Sequence, residues 1–142
     1  MNKIIKKEIE IDGQKMVFEF SDLVEQANGS VIVSLGETKV LVTVVMGEET
    51  KKDYFPLRVD YEEKFYAAGE ILGGKYMRRE GKPSVEATLS ARVIDRSIRP
   101  FFDKEFTREI QVVVTVLSIG DYDPDILALN GASMILTISD IP

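Results

Sequence analysis

The chain lacks cysteine, histidine and tryptophan altogether, and it contains no long uncharged apolar segment. Without cysteine and histidine it can form no disulfide, thiolate nucleophile or imidazole acid–base pair, and it lacks the usual zinc ligands. No apolar run approaches the ~20 residues that a membrane-spanning helix needs. The N-terminus is charged from Lys3 onward, unlike a secretory signal peptide. These absences favour a cytoplasmic protein with no membrane partner.

Charge is unevenly distributed along the chain. The whole chain holds 18 basic and 24 acidic residues. Residues 75–99 contain seven of the basic and three of the acidic residues, which leaves 11 basic and 21 acidic residues elsewhere. A positive segment in an acidic protein usually faces an anionic partner, and a phosphate backbone is one such partner.

Alternating apolar residues predict a sheet, and a 3.6-residue period predicts two helices. Hairpins are expected at 9–20 and 31–46, strands at 57–62 and 111–119, and helices at 84–99 and about 124–139. Asp12 and Gly13 suit a tight hairpin turn. Ser84 suits a helix N-cap, and Pro100 disfavours continuation of that helix. Strands first and helices later indicate an α+β domain, with helices on one face of a mostly antiparallel sheet.

No self-contained catalytic or metal centre is evident. The acidic stretch 121–125 resembles the opening of a calcium loop, but it lacks the glycine and the distal glutamate of an EF-hand. Asp123 followed by Pro124 is better explained as a helix start. Ser30, Ser84 and Ser97 have no histidine to activate them. We therefore predict no catalytic residue and no metal ligand in this chain.

The predicted helix 84–99 has an apolar stripe and a basic stripe. The apolar stripe consists of Ala87, Ala91, Ile94 and Ile98, and the basic stripe, roughly opposite, consists of Arg92, Arg96 and Arg99. Asp95 can pair with Arg92 or with Arg99. The arginines are candidate phosphate ligands, because a guanidinium offers a charged planar fork. A solvated face with weak surface ion pairs is the alternative.

A glycine-rich basic loop at 67–83 precedes this helix. Arg78, Arg79 and Lys82 lie near Tyr76, and cations beside an aromatic ring suit single-stranded nucleic acid. Basic residues that serve only solubility are the alternative. Gly73 and Gly74 form no P-loop, because the lysine followed by serine or threonine is missing.

Eight short motifs follow one another over nearly the whole chain: GSVIVSLGETKVLVTVV (29–45), FPL (55–57), YAAG (66–69), RREG (78–81), IDR (94–96), IRP (98–100), NGAS (130–133) and SDIP (139–142). Together, and in this order, they resemble the bacterial polynucleotide phosphorylase family. The resemblance implies an RNase PH-like core (ribosomal protein S5 domain 2-like), with residues 1–142 as the first such core and incomplete at its C-terminus. A second core, a helical linker, and KH and OB-fold modules are expected outside the chain.

The resemblance also implies a function. Family members are phosphate-dependent 3′→5′ exoribonucleases that release nucleoside diphosphates from single-stranded RNA and form homotrimers, with assembly partners in RNA degradation. The second core supplies the catalytic residues and binds Mg²⁺, with inorganic phosphate as co-substrate. The first core guides RNA, and its matching residues here are Tyr76, Arg78, Arg79, Lys82, Arg92, Arg96 and Arg99. Met77 replaces an aromatic residue of the family loop, and Lys82 stands where arginine is common.

Two other functions remain open from the sequence. One is a stand-alone RNase PH-like exonuclease, although the length is short and the catalytic half is missing. The other is a non-catalytic RNA-binding or assembly subunit of an RNase PH-like ring. Phosphate-dependent release of nucleoside diphosphates distinguishes an enzyme from a binding subunit.

Overall fold

The computed structural model describes residues 4–21, 23–51, 53–74, 76 and 80–141. Within these residues six strands and two α-helices form, in the order β1 (Ile5–Ile11), β2 (Gln14–Phe20), β3 (Gly29–Leu35), β4 (Thr38–Glu49), β5 (Leu57–Glu62), α1 (Val85–Ile98), β6 (Arg108–Ser118) and α2 (Pro124–Ile138). Short 3₁₀ helices, Phe65–Ala68 and Arg99–Phe101, follow β5 and α1. None of the helices in this described part is long and apolar enough to span a membrane.

Both predicted hairpins are present. Asp12 and Gly13 take positive φ angles of 51° and 76° in the turn between β1 and β2, which confirms the predicted tight turn. The turn between β3 and β4 is shorter than predicted, because Thr38 already belongs to β4. The buried hydroxyl of Thr38 donates to the carbonyl oxygen of Tyr122 at 2.9 Å, and this bond ties the hairpin to the segment before α2.

The strands form one mixed sheet in the order β1-β2-β3-β4-β6-β5. Each neighbouring pair is antiparallel except β5 and β6, which run parallel with Leu57 opposite Ile110. The predicted α+β class with a mostly antiparallel sheet is therefore confirmed. A parallel pair needs a crossover connection, and α1 lies in the connection between β5 and β6. This topology places α1 against the edge strand β5.

Both helices pack on one face of the sheet. α2 lies on β3 and β4, while α1 lies on β5 and also contacts α2. A Cβ atom at Gly131 in α2 would lie only 2.8 Å from Val42 Cγ2, so the absence of a side chain permits this close approach. Ala87, Ile94 and Ile98 of α1 are buried, which confirms the predicted apolar stripe.

Several boundaries differ from the prediction, and two of the differences have an identifiable cause. The 3₁₀ helix of residues 65–68 extends into the loop predicted at 67–83, because the buried Ala67 accepts a main-chain hydrogen bond from Ile119 at 2.9 Å. β6 begins at Arg108 rather than at residue 111, because the long β4 pairs with it as far as Glu49. Contacts distant in the sequence decide both differences.

Candidate nucleic-acid interface

Five of the seven predicted RNA-contact residues lie in the described part of the chain: Tyr76, Lys82, Arg92, Arg96 and Arg99. Arg78 and Arg79 lie outside the described residues. The first four of the five are exposed, whereas Arg99 is half-buried. The basic stripe of α1 therefore divides into two outward arginines and one that packs against the protein.

The start of α1 is held by its N-cap. The Ser84 hydroxyl oxygen accepts from the main-chain N–H of Ala87 at 3.0 Å, and the Ser84 carbonyl oxygen accepts from the Thr88 hydroxyl at 2.9 Å. Glu86 lies in the first turn, where a carboxylate interacts favourably with the helix dipole. The predicted N-cap is confirmed, and it sets the helix start at Val85, three residues after Lys82.

Arg92 and Arg96 lie one turn apart on the exposed face of α1. Neither takes part in an ion pair within the described part of the chain. Val85, Leu89 and Val93 lie within about 100° of these arginines around the helix axis, with exposed fractions of 78%, 54% and 57%. The face is thus mixed basic and apolar, unlike an ordinary solvated helix face carrying ion pairs.

Arg99 is used inside the domain. Its Nε and Nη2 donate to the Asp95 carboxylate at 3.0 and 2.6 Å, and the remaining contacts reach the carbonyl oxygens of Phe55 and Leu57, each at 3.2 Å. The hydrogen bonds to Asp95 raise the pKa of Arg99 above its ordinary value. Four of the five guanidinium N–H groups are therefore occupied, so little of the fork is available to a phosphate. Of the two pairings open to Asp95, the structure has the one with Arg99.

A cleft of about 290 Å³ lies at the N-terminal end of α1, next to the basic loop. Its lining includes Lys64 and Lys82, but also Glu63 and Glu80. Opposite charges on one small surface make a simple anion pocket unfavourable. The exposed Lys82 therefore lies in a cleft of mixed charge rather than in a basic anion pocket.

Acidic side chains from the end of β5, α1 and the start of α2 lie close to one another beside this cleft. The Ser90 hydroxyl donates to Asp125 at 2.6 Å and so connects the two helices. Burial is the main cause that raises the pKa of Tyr61, and the nearby Asp125 carboxylate adds to it. The buried Tyr61 hydroxyl makes no hydrogen bond of good geometry. Burial together with the carboxylates of Asp125, Glu86 and Asp123 raises the pKa of Glu63.

Mg²⁺ is the metal that the family resemblance implies, and the acidic residues here do not fit it. Within the described residues no group of three or more aspartate, glutamate, histidine or cysteine side chains could hold a metal ion. Asp123 instead caps α2, because its carboxylate accepts from the main-chain N–H of Asp125 at 3.0 Å. We therefore assign no magnesium ligand to these residues.

The sequence prediction assigned no role to Glu80. Glu80 Oε1 accepts from the main-chain N–H of Phe65 at 2.6 Å. The only sequence signal for this residue is its position directly after Arg78 and Arg79, because the partner lies 15 residues away.

Comparisons with known proteins show the family to which the chain belongs. The model of the "3′ exoribonuclease family, domain 1" matches residues 12–142. The polyribonucleotide nucleotidyltransferase of Halothermothrix orenii is 54% identical over 136 residues, covering 94% of this chain and 19% of that protein. That of Syntrophomonas wolfei is 49% identical over 143 residues, covering 98% and 20%. The chain thus spans about a fifth of the length of these curated relatives.

Solved structures share the fold at lower identity. A chain from the Archaeoglobus fulgidus exosome with RNA bound to the active site superposes with a TM-score of 0.60 at 21% identity, covering 98% of this chain and 51% of that one. Rice Rrp46 superposes with a TM-score of 0.62 at 15% identity, covering 99% and 57%. The fold is therefore RNase PH-like, and the chain belongs to the 3′ exoribonuclease family, whose domain 1 it matches over residues 12–142.

Proposed function

We propose that the native protein containing this chain is a polyribonucleotide nucleotidyltransferase that degrades single-stranded RNA from its 3′ end. The observation that carries this proposal is about 50% identity, over 94–98% of the chain, to two enzymes with that name. An oxygen of inorganic phosphate attacks the terminal phosphodiester phosphorus. The bond to the 3′ oxygen of the preceding nucleotide breaks, and a nucleoside diphosphate and a shortened RNA with a free 3′ hydroxyl result.

This chain supplies the first RNase PH-like core in that proposal, and its role is to guide RNA. Arg92 and Arg96 support this role because they are exposed and carry no ion pair within the described residues. Such arginines are available to contact backbone phosphates. Arg78, Arg79 and Lys82 add positive charge at the adjoining loop, and Tyr76, 90% exposed, offers a ring on which a base can stack.

Arg99 has a different part in the same proposal. Its guanidinium fastens the C-terminal end of α1 to the start of β5, and so it supports the helix that carries Arg92 and Arg96. We propose that it acts on RNA indirectly, through the position of α1.

The remaining parts of the proposal follow from the family. We propose a homotrimer in the cytoplasm, with Mg²⁺ and the catalytic residues in a second core and with partners in RNA degradation. The relatives' names favour this enzyme over a non-catalytic ring subunit, since the likeness to exosome chains at 15–21% identity concerns the fold alone.

The test is a product assay with the native protein and a 20-nucleotide oligoadenylate. We expect adenosine diphosphate to be released with inorganic phosphate and not when sulfate replaces it. Adenosine monophosphate that is released without phosphate would indicate hydrolysis and contradict the proposal. RNA binding without nucleotide release would instead identify a binding or assembly subunit.

A further inference from the structure

Two residues of the basic loop, Glu70 and Glu80, are hydrogen-bonded to one residue, Phe65. The main-chain N–H of Glu70 donates to the Phe65 carbonyl oxygen at 3.0 Å. At the other end, the Glu80 carboxylate accepts from the Phe65 N–H at 2.6 Å. Residues 70 and 80 are therefore both held at Phe65. In the sequence, Arg78 and Arg79 come directly before Glu80.

The Glu80 carboxylate caps the N-terminus of the 3₁₀ helix Phe65–Ala68, because it accepts from the first N–H group of that helix. The first N–H groups of such a helix lack partners within it, and the N-cap residue Lys64 makes no side-chain capping bond. Glu80 supplies the missing acceptor from 15 residues further on. A carboxylate acceptor makes this a charge-assisted bond, stronger than a neutral one. Glu80 is half-buried, while Gly81 and Lys82 after it are exposed.

The 3₁₀ helix is itself attached to the sheet. Ala67 is buried, and its carbonyl oxygen accepts from the N–H of Ile119 at 2.9 Å, just beyond the end of β6. Gly69 ends the helix in a left-handed conformation with φ 73°. A continuous series of contacts thus runs from the end of β6 through Ala67 and Phe65 to Glu80. Glu80 directly follows Arg79 in the sequence.

We propose that Glu80 is a positioning residue for RNA binding, which fixes the point from which Arg79 and Arg78 extend. This inference rests on the proposed role of those arginines in guiding RNA. It makes a prediction opposite to that of simple electrostatics. If Glu80 were only a negative charge beside a basic loop, its removal would strengthen RNA binding. If it positions the loop, its removal weakens binding.

Three variants of the native protein separate these cases in fluorescence-anisotropy titrations with oligoadenylate. E80A removes the acceptor, and we expect RNA binding to weaken about 5- to 10-fold, which is the effect of about one ordinary hydrogen bond. E80D keeps the charge but shortens the reach, so it should weaken binding similarly. E80Q removes the charge but keeps an acceptor oxygen, so it should bind within about 2-fold of the native protein. E70Q is the matched control for a lost charge at the other end of the loop, and it should not weaken binding.

A double-mutant cycle with the R78A/R79A variant shows whether Glu80 acts through the arginines. We expect E80A to add no further loss in that background, and in the native background to raise KM for RNA while leaving kcat unchanged. An E80A variant that binds as tightly as the native protein, or that loses the same factor in both backgrounds, overturns the inference. If R78A/R79A itself leaves RNA binding unchanged, the proposed role of the loop fails first, and the inference about Glu80 fails with it.

Discussion

The guanidinium of Arg99 donates to the main-chain carbonyl oxygen of Leu57 across 3.2 Å, from the C-terminal end of α1 to the first residue of β5. A second bond reaches the carbonyl oxygen of Phe55, two residues earlier. Phe55 precedes β5, and its carbonyl oxygen also accepts from the main-chain N–H of Leu57 at 3.0 Å. Leu57 begins β5, which is an edge strand of the sheet. Arg99 therefore joins the end of α1 to the turn before β5 and to the first carbonyl group of this edge strand.

Replacement of Arg99 by alanine should loosen β5 locally. The change leaves the Asp95 carboxylate and the Leu57 carbonyl group without this donor, and it leaves the Phe55 carbonyl group with one donor instead of two. The loss should be about 1–2 kcal/mol. We expect amide hydrogen exchange in residues 55–62 of the native protein to become roughly tenfold faster. R92A, which removes an exposed arginine of the same helix, is the control and should leave this exchange unchanged. Equal exchange in R99A and R92A would contradict the structural role of Arg99.

Replacement of Gly131 by alanine should destabilise the domain, although alanine is the better helix former. The new Cβ would lie 2.8 Å from Val42 Cγ2 and 2.9 Å from Val33 Cγ2. Overpacking of this kind costs about 1–3 kcal/mol, against a gain of about 1 kcal/mol in helix propensity. We expect a lower urea midpoint for G131A and partial recovery in G131A/V42A. A higher midpoint for G131A would show that α2 does not approach β4 this closely.

Glu63 should make the stability of the fold depend on pH. Its pKa is raised from 4.5 by burial and by Asp125, Glu86 and Asp123, so the folded state binds a proton that the unfolded state has already released. The free energy of unfolding therefore falls as pH rises above about 4.5 through the folded pKa. Urea unfolding should show E63Q gaining stability relative to the native protein between pH 4 and pH 7. A constant difference between the two proteins over that range would contradict this assignment.

Much of the fold follows from local sequence signals. Asp12 and Gly13 predict the first turn because few other pairs tolerate positive φ at both positions. Ser84 and Pro100 predict the ends of α1 because capping and ring sterics act within a few residues. The structure confirms the hairpins, both helices and the buried stripe of α1.

Other features depend on contacts that local patterns do not encode. The strand Leu57–Glu62 was predicted correctly, but its parallel pairing with β6 joins segments about 50 residues apart. Helical spacing allows Asp95 to pair with either Arg92 or Arg99. Arg99 is the one that pairs, because its guanidinium is also held by carbonyl groups at the start of β5. The sequence shows Glu80 only as one charged residue in a loop, and its hydrogen bond with Phe65 is known only from the structure.

The arginines on the outer face of α1 should bind RNA without contributing to folding. R92A/R96A removes two exposed charges that have no ion pair within the described residues. Each lost phosphate contact on a single strand lowers the slope of log K against log salt by about 0.7. We expect a change of about 1.4 with an unchanged unfolding midpoint. R58A is the control, because Arg58 is exposed but pairs with Asp60 on β5; an equal effect of R58A would indicate a general charge effect.

The most direct test of RNA guidance by this domain is the salt dependence of oligoadenylate binding by the native protein and its R78A/R79A/R92A/R96A variant. If the loop and α1 hold backbone phosphates, the variant should bind at least tenfold more weakly, with a slope lower by about 2–3. A variant with the native affinity and the native slope would show that RNA is bound elsewhere, and it would contradict the role proposed for this domain.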